Sequence, residues 1–175
     1  MKIIPSIKEI GDYALPELFR LISDVYTTSD GMSETLEDKY PNLESLEQDI
    51  ADLLSRPGAI AVIADIDNEP LGYLIIKPRE QTKLRHTADL NMGVHHKARS
   101  RGLGKLMLEE ALRRAQESPE LEILYLMVRT DNVPAINLYK DFGFQTLTVL
   151  EYDTKIGTHY YNGLLMRKFV KNIKR

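Results

Sequence analysis

From Val94 to Lys105 the chain reads Val-His-His-Lys-Ala-Arg-Ser-Arg-Gly-Leu-Gly-Lys, a basic turn spaced by glycines that joins an apolar strand to a helix. Gly102 and Gly104 let backbone N–H groups face outward without a Cβ in the way. The helix start adds unpaired donors and the positive end of a dipole, and Arg99, Arg101 and Lys105 add full charges around Ser100 and Leu103. A pyrophosphate is the natural ligand of such a nest. Spacing excludes two better-known phosphate loops. A P-loop needs a glycine five positions before Gly104 and a Ser or Thr after Lys105, where Arg99 and Leu106 stand. The dinucleotide fingerprint needs a third glycine where Met107 stands. What remains is Arg-x-x-Gly-x-Gly, on Arg99, Gly102 and Gly104.

A second pattern follows in Asn132-Val133-Pro134-Ala135-Ile136-Asn137-Leu138-Tyr139-Lys140-Asp141-Phe142-Gly143-Phe144. At these two places the chain resembles the GCN5-related N-acetyltransferase (GNAT) superfamily. The central motif of that superfamily is Gln or Arg, two residues, Gly, one residue, Gly or Ala; its later motif is Asn-x-x-Ala-x-x-Leu-Tyr followed by Gly-Phe. The similarity covers Pro70 to Met166, whereas residues 1 to 60 match only in the order of their helices.

The resemblance implies an acyltransferase that binds acetyl-CoA between the diverging ends of its fourth and fifth strands. It moves the acetyl group directly to a primary amine, with no covalent enzyme intermediate. The pyrophosphate is then expected on Arg99 to Lys105. The pantetheine arm is expected against a bulge at Asn91 to Val94, with Met92, Gly93 and Val94 at the contact and Gly93 suited to the bulge. A backbone N–H aimed at the developing oxyanion contributes on the order of 3 kcal/mol to such a barrier. Asn132 is expected to pair with the cofactor arm or the adjoining backbone, and Tyr139 to act near the sulfur as general acid. A phenol of pKa about 10 is protonated at neutral pH and faces a thiol of pKa about 8.5. Two other functions fit the same cleft: a CoA-binding regulatory module without transfer, against which Tyr139 weighs, and an acyltransferase for other acyl-CoAs.

The acceptor amine, of pKa about 10.4 if lysine-like, must lose a proton before it attacks. The ionisable residues of the fourth strand are His86 and Asp89, which a two-residue period places on opposite faces. Each is a candidate base, with a water chain as the alternative. His95 and His96 are adjacent in what reads as extended chain, so they should point apart, and no metal site is expected. The polar segment from Tyr26 to Glu34 lies where GNAT proteins line the acceptor groove, with Tyr26 and Asp30 as candidate contacts. Asp30, Glu34, Glu37 and Asp38 point to a cationic acceptor such as a polyamine, a lysine or peptide amine, or an aminoglycoside. His159, Tyr160 and Tyr161 are candidates for aromatic contacts in the same groove.

The elements that must position these groups alternate in mixed order. Lys2 to Pro5 reads as a short strand, and two amphipathic helices follow, with Leu18, Ile22 and Val25 in the first and Leu46, Ile50 and Leu53 in the second. Ala59 to Asp65 and Leu71 to Lys77 form a hairpin. Thr87 to Val94, Leu103 to Glu117 and Leu121 to Val128 form a parallel strand–helix–strand unit. The last of these runs is nearly all apolar, which predicts burial on both faces. A short helix from Val133 to Phe142 follows, and strands Gln145 to Tyr152 and Thr158 to Arg167 close the chain across Asp153 to Gly157. The fold class is α/β (α+β): a mixed, mostly antiparallel sheet with a central parallel unit, flanked by helices, in a single domain over residues 1–175.

The 175 residues include no cysteine, which excludes disulfides and thiol nucleophiles. Residues 1–60 carry 12 acidic against 5 basic side chains and the remainder 14 against 18, an uneven pattern that argues against nucleic acid as a partner. Without a leader-like or membrane-length apolar run, a cytoplasmic protein with no membrane partner is expected. The edge strand of the closing hairpin makes a homodimer an expectation as well.

Overall fold

The computed structural model describes residues 4–173. Its sheet has seven strands: β1 (Ser6–Glu9), β2 (Ile60–Ile66), β3 (Glu69–Pro78), β4 (Thr87–Val94), β5 (Ile123–Arg129), β6 (Gln145–Ile156) and β7 (His159–Phe169). Their spatial order is β1-β2-β3-β4-β5-β7-β6, and every neighbouring pair is antiparallel except β4 with β5. The helices are α1 (Leu15–Thr28), the four-residue α2 (Leu36–Lys39), α3 (Leu43–Ser55), α4 (Leu103–Glu117) and α5 (Val133–Asp141). Among the described residues no helix is long and apolar enough to cross a membrane.

Two cores sit on the two faces of the sheet. Leu18, Leu21, Ile22 and Val25 of α1, with Leu46 and Leu53 of α3, pack on Ala61, Ile63 and Tyr73. On the other face Met107, Leu108, Ala111 and Ala115 of α4 and Tyr139 of α5 meet Leu74, Leu90, Leu124 and Met166. Burying these apolar stripes is what holds the helices to the sheet. Caps set the helix starts: Asn42 Oδ1 accepts the Ser45 N–H at 2.9 Å before α3, and Asn132 Oδ1 accepts the Ala135 N–H at 3.3 Å before α5.

Four expectations change. The first strand is Ser6–Glu9, not Lys2 to Pro5, of which Lys2 and Ile3 lie outside the described residues. β6 runs on to Ile156, so the closing turn is only Gly157 and Thr158 and the anticipated loop from Asp153 is strand. β5 is buried on one face only. Leu124, Leu126 and Val128 face the α4–α5 core, whereas Met127 on the opposite face is 44% exposed, because α1 and α3 cover the β2–β4 side of the sheet and stop there. Arginines roof the uncovered part: Arg79 lies over Tyr125 at 5.0 Å, Arg167 over Phe169 at 4.5 Å and Arg129 over Tyr161 at 3.9 Å. Finally, β4 carries no bulge. Its register with β3 is unbroken from Ala88 opposite Pro78 to Val94 opposite Gly72.

Candidate active site

The parallel seam between β4 and β5 lasts three residues, Thr87 to Asp89 against Ile123 to Tyr125, and the strands then part. A cleft of about 720 Å³ opens at this divergence, floored by Leu90 to Val94 and bounded by α5, the start of α4 and the segment after α1. Which backbone groups face it follows from the bonds at the seam. The His86 carbonyl accepts from the Glu122 and Ile123 N–H groups, while the Thr87 carbonyl accepts from Arg79 on the β3 side. Alternation then turns the N–H and C=O groups of Leu90, Met92 and Val94 towards the missing neighbour. Divergence, not a bulge, bares the strand.

Gly93 has a different task from the one its type foretold. A Cβ there would come within 2.6 Å of Val25 and 2.7 Å of the Tyr73 ring, so glycine lets α1 and Tyr73 close directly on β4.

The basic turn forms the far wall. Ser100 has φ 61° and Gly102 has φ 80°, two left-handed residues separated by one, which curls the main chain into a concave nest. Gly102 stands at the N-cap of α4 without a capping side chain, and the first helical bond is Leu106 N–H to Gly102 O at 3.0 Å. The N–H groups of Leu103, Gly104 and Lys105 are therefore left for a ligand. Gly104 serves close packing: a Cβ would stand 3.3 Å from Leu138. Arg99, Ser100 and Lys105 line the cleft, whereas Arg101 is exposed outside it. Arg99 also crosses to α1, donating to the Thr28 carbonyl at 3.1 Å, Thr28 Oγ1 at 2.8 Å and the Val94 carbonyl at 3.3 Å.

Tyr139 and Asn132 enter from α5 and both line the cleft. The Tyr139 ring meets Phe144 edge-on at 5.7 Å, and burial pushes its phenol up to about 12. It therefore stays protonated and available as a donor, but it is a weaker acid than a free tyrosine. Asn132 spends its carbonyl oxygen on the helix cap, leaving its amide N–H groups free to donate.

Tyr26, Asp30 and Glu34, the residues expected to meet the acceptor, line the mouth, and burial together with Glu34 and Asp49 raises the Tyr26 phenol to about 12. Tyr161 stands beside the mouth under Arg129, while Tyr160 packs away from it on Tyr152 at 5.6 Å. Sequence reasoning missed Arg129 and Asp131, both of which line the cleft, because no local pattern distinguishes them from surface charges. Neither candidate base is in the cleft. His86 and Asp89 sit at the closed seam end of β4, and Asp89 is paired with Arg79 at 2.9 Å.

His95 and His96 do not point apart. The strand ends at Val94 and a 3₁₀ turn begins at His96, so both rings stack at 4.6 Å beside Asp24 of α1. His96 Nδ1 is 2.5 Å and His95 Nε2 3.4 Å from Asp24 Oδ1, and the His96 N–H donates to Oδ2 at 2.9 Å. These three side chains have the spacing of a metal-ligand set. However, His95 Nδ1 accepts the Lys97 N–H at 3.2 Å, which leaves its proton on Nε2, towards the carboxylate. His96 thus holds Asp24 through both its main-chain N–H and its ring, with His95 stacked beside it, and the three clamp α1 to the start of the nest.

The chain is similar to known proteins. The acetyltransferase (GNAT) family model matches residues 16–144. The chain is 26% identical over 127 residues to an L-amino acid N-acetyltransferase of Escherichia coli, covering 73% of this chain and 76% of that one. It is 31% identical over 109 residues to an N-alpha-acetyltransferase of Sulfurisphaera tokodaii, covering 57% of this chain and 60% of that enzyme. A solved GNAT-family acetyltransferase from Streptococcus pneumoniae superposes with a TM-score of 0.86 at 26% identity, over 97% of this chain and all of that one. With nest, diverging strands and Tyr139 gathered in one cleft and most of its length matched, the chain belongs to the acetyltransferase (GNAT) family, whose acetyl donor is acetyl-CoA.

Proposed function

We propose that the protein acetylates a primary α-amine, presented at the mouth beside Tyr26 and Asp30. The observation that carries this reading is the bared edge of β4 meeting both the nest and Tyr139 within one cleft. Relatives named for L-amino acid and N-alpha acetylation support the α-amine. Bound acetyl-CoA supplies the thioester carbon that the amine attacks. The nest from Arg99 to Lys105 would hold its pyrophosphate, and Leu90, Met92 and Val94 would pair with its arm as a strand pairs with its neighbour. A backbone N–H of that edge would face the charge that develops on the carbonyl oxygen. Tyr139 would donate its hydroxyl proton towards the departing sulfur. With His86 and Asp89 outside the cleft, the amine's proton would leave through water at the open mouth. Incubation of the protein with acetyl-CoA and a panel of α-amines, polyamines and aminoglycosides, read by mass spectrometry and CoASH release, tests this. Acetylated α-amines are expected; absence of both product and CoASH above background leaves a CoA-binding module instead.

A further inference from the structure

On the acceptor side the cation that lines the cleft is Arg129, and its charge is already answered. Its side chain, only 11% exposed, forks the Asp131 carboxylate through Nε at 2.9 Å and Nη2 at 2.5 Å, and gives Nη1 to the Asp30 carbonyl at 2.5 Å. Its face is stacked on Tyr161 at 3.9 Å. The hydrogen bonds from Arg129 hold the Asp131 carboxyl below its ordinary value, which marks the two as a matched pair. Asp30 and Glu34 add further negative charge to the same mouth, with Lys39 at 3.4 Å from Glu34. The remaining cations lining the cleft, Arg99 and Lys105, stand in the nest on the cofactor wall.

This charge pattern discriminates between two kinds of α-amine. In a free amino acid the carboxylate carbon is two bonds from the reacting nitrogen, so an amine placed for transfer brings a full negative charge to the acceptor side. There it meets acidic groups and an arginine whose Nε–Nη2 fork is taken by Asp131 and whose Nη1 already gives a hydrogen bond to the Asp30 carbonyl. The first residue of a peptide brings a neutral amide to the same place, and that amide asks only for ordinary hydrogen bonds.

We propose that the Arg129–Asp131 pair acts as a specificity lock that denies a carboxylate its partner, so that the acceptor is the N-terminal amine of a peptide or protein and not a free amino acid. The inference rests on the α-amine reading above.

The test compares alanine, serine and methionine, each as free acid, as C-terminal amide and as first residue of an amidated tripeptide, by kcat/KM with acetyl-CoA. Amides and peptides are expected to exceed the free acids by at least about tenfold. Asp131→Asn, with its fold checked by circular dichroism, is expected to raise the ratio of free acid to amide by about fivefold or more, because it releases the guanidinium fork. Free acids that match or exceed their amides in the wild-type protein overturn the lock, whatever the variant does. An unchanged ratio in folded Asp131→Asn overturns the role of the pair. Failure of all three forms, with a polyamine or aminoglycoside acetylated instead, removes the α-amine reading itself and the lock with it.

Discussion

The cofactor wall and the acceptor wall face each other across one cleft and are made by opposite means. On the cofactor wall the working groups are mostly main chain: the N–H groups after Gly102 and the bared edge from Leu90 to Val94. They come from two short runs of sequence, with Tyr139 and Asn132 added from a third. On the acceptor wall they are side chains from α1's far end, β5 and the loop after it. Arg129 there is satisfied by the Asp131 carboxylate and by the main-chain carbonyl of Asp30. A ligand held by main chain is indifferent to most substitutions, provided the backbone keeps its shape. A ligand chosen by side-chain charge changes with single replacements.

Four experiments bear on that contrast. The largest effect is expected from Tyr139→Phe, which removes a proton donor while keeping the ring on Phe144: kcat should fall about a hundredfold and the Kd for CoA stay within about twofold. Equal losses in both would make Tyr139 a packing residue. Next comes a paired comparison. Gly102→Val forces a β-branched residue to φ 80°, at a cost of roughly 1–2 kcal/mol, so CoA affinity should drop about tenfold with the KM of the amine unchanged. Glu34→Gln should do the reverse, raising the amine's KM about threefold without touching CoA affinity. If the two variants behave alike, the walls are not separable.

A smaller and more diagnostic effect lies in the pH profile. The Tyr139 phenol sits at about 12 and acts in its protonated form, so its contribution is lost only as pH rises through that value. Rates should therefore climb with deprotonation of the amine and show no descending limb before about pH 10. A limb near neutrality would point to a different acid.

The smallest effect concerns the clamp. Burial alone would raise the Asp24 carboxyl, but hydrogen bonds from the His96 N–H and ring, with His95 beside them, hold it below its ordinary value. A carboxyl depressed in the folded state adds stability above its unfolded pKa of about 3.9 and loses it as pH falls through the folded value. Asp24→Asn should thus cost about 1 kcal/mol at neutral pH, and the gap in Tm from the wild type should close below about pH 4. A gap independent of pH would mean that charge plays no part.

The same contrast decided which features the amino-acid sequence could foretell. Thr87–Val94 and Leu103–Glu117 emerged with the anticipated bounds, because Gly102, the apolar periods and the approach of Pro119 are local signals. The nest and Tyr139 followed from motifs for the same reason. The four residues of α2 are too short for a period, although Thr35 capping the Asp38 N–H at 3.1 Å was there to be read. Burial of β5 was misjudged because an apolar run does not say whether a helix reaches far enough to cover it. Similarly, the partnership of His95 and His96 with Asp24 depends on α1 lying across the end of β4. Arg129 pairs locally with Asp131 two residues on, but its place in the cleft depends on Asp30 and Tyr161, which only the closed fold brings to it.

The brief seam between β4 and β5 has a mechanical consequence. Three paired residues join a four-stranded half of the sheet to a three-stranded half, the shortest pairing between any neighbouring strands in it. A donor arm laid along Leu90, Met92 and Val94 would fill the gap as a strut, and the substrate would become part of the framework that positions it. The acetyl group would leave while the arm stayed, so the spent donor would still brace the two halves. Its departure, more than its arrival, would then work against the architecture.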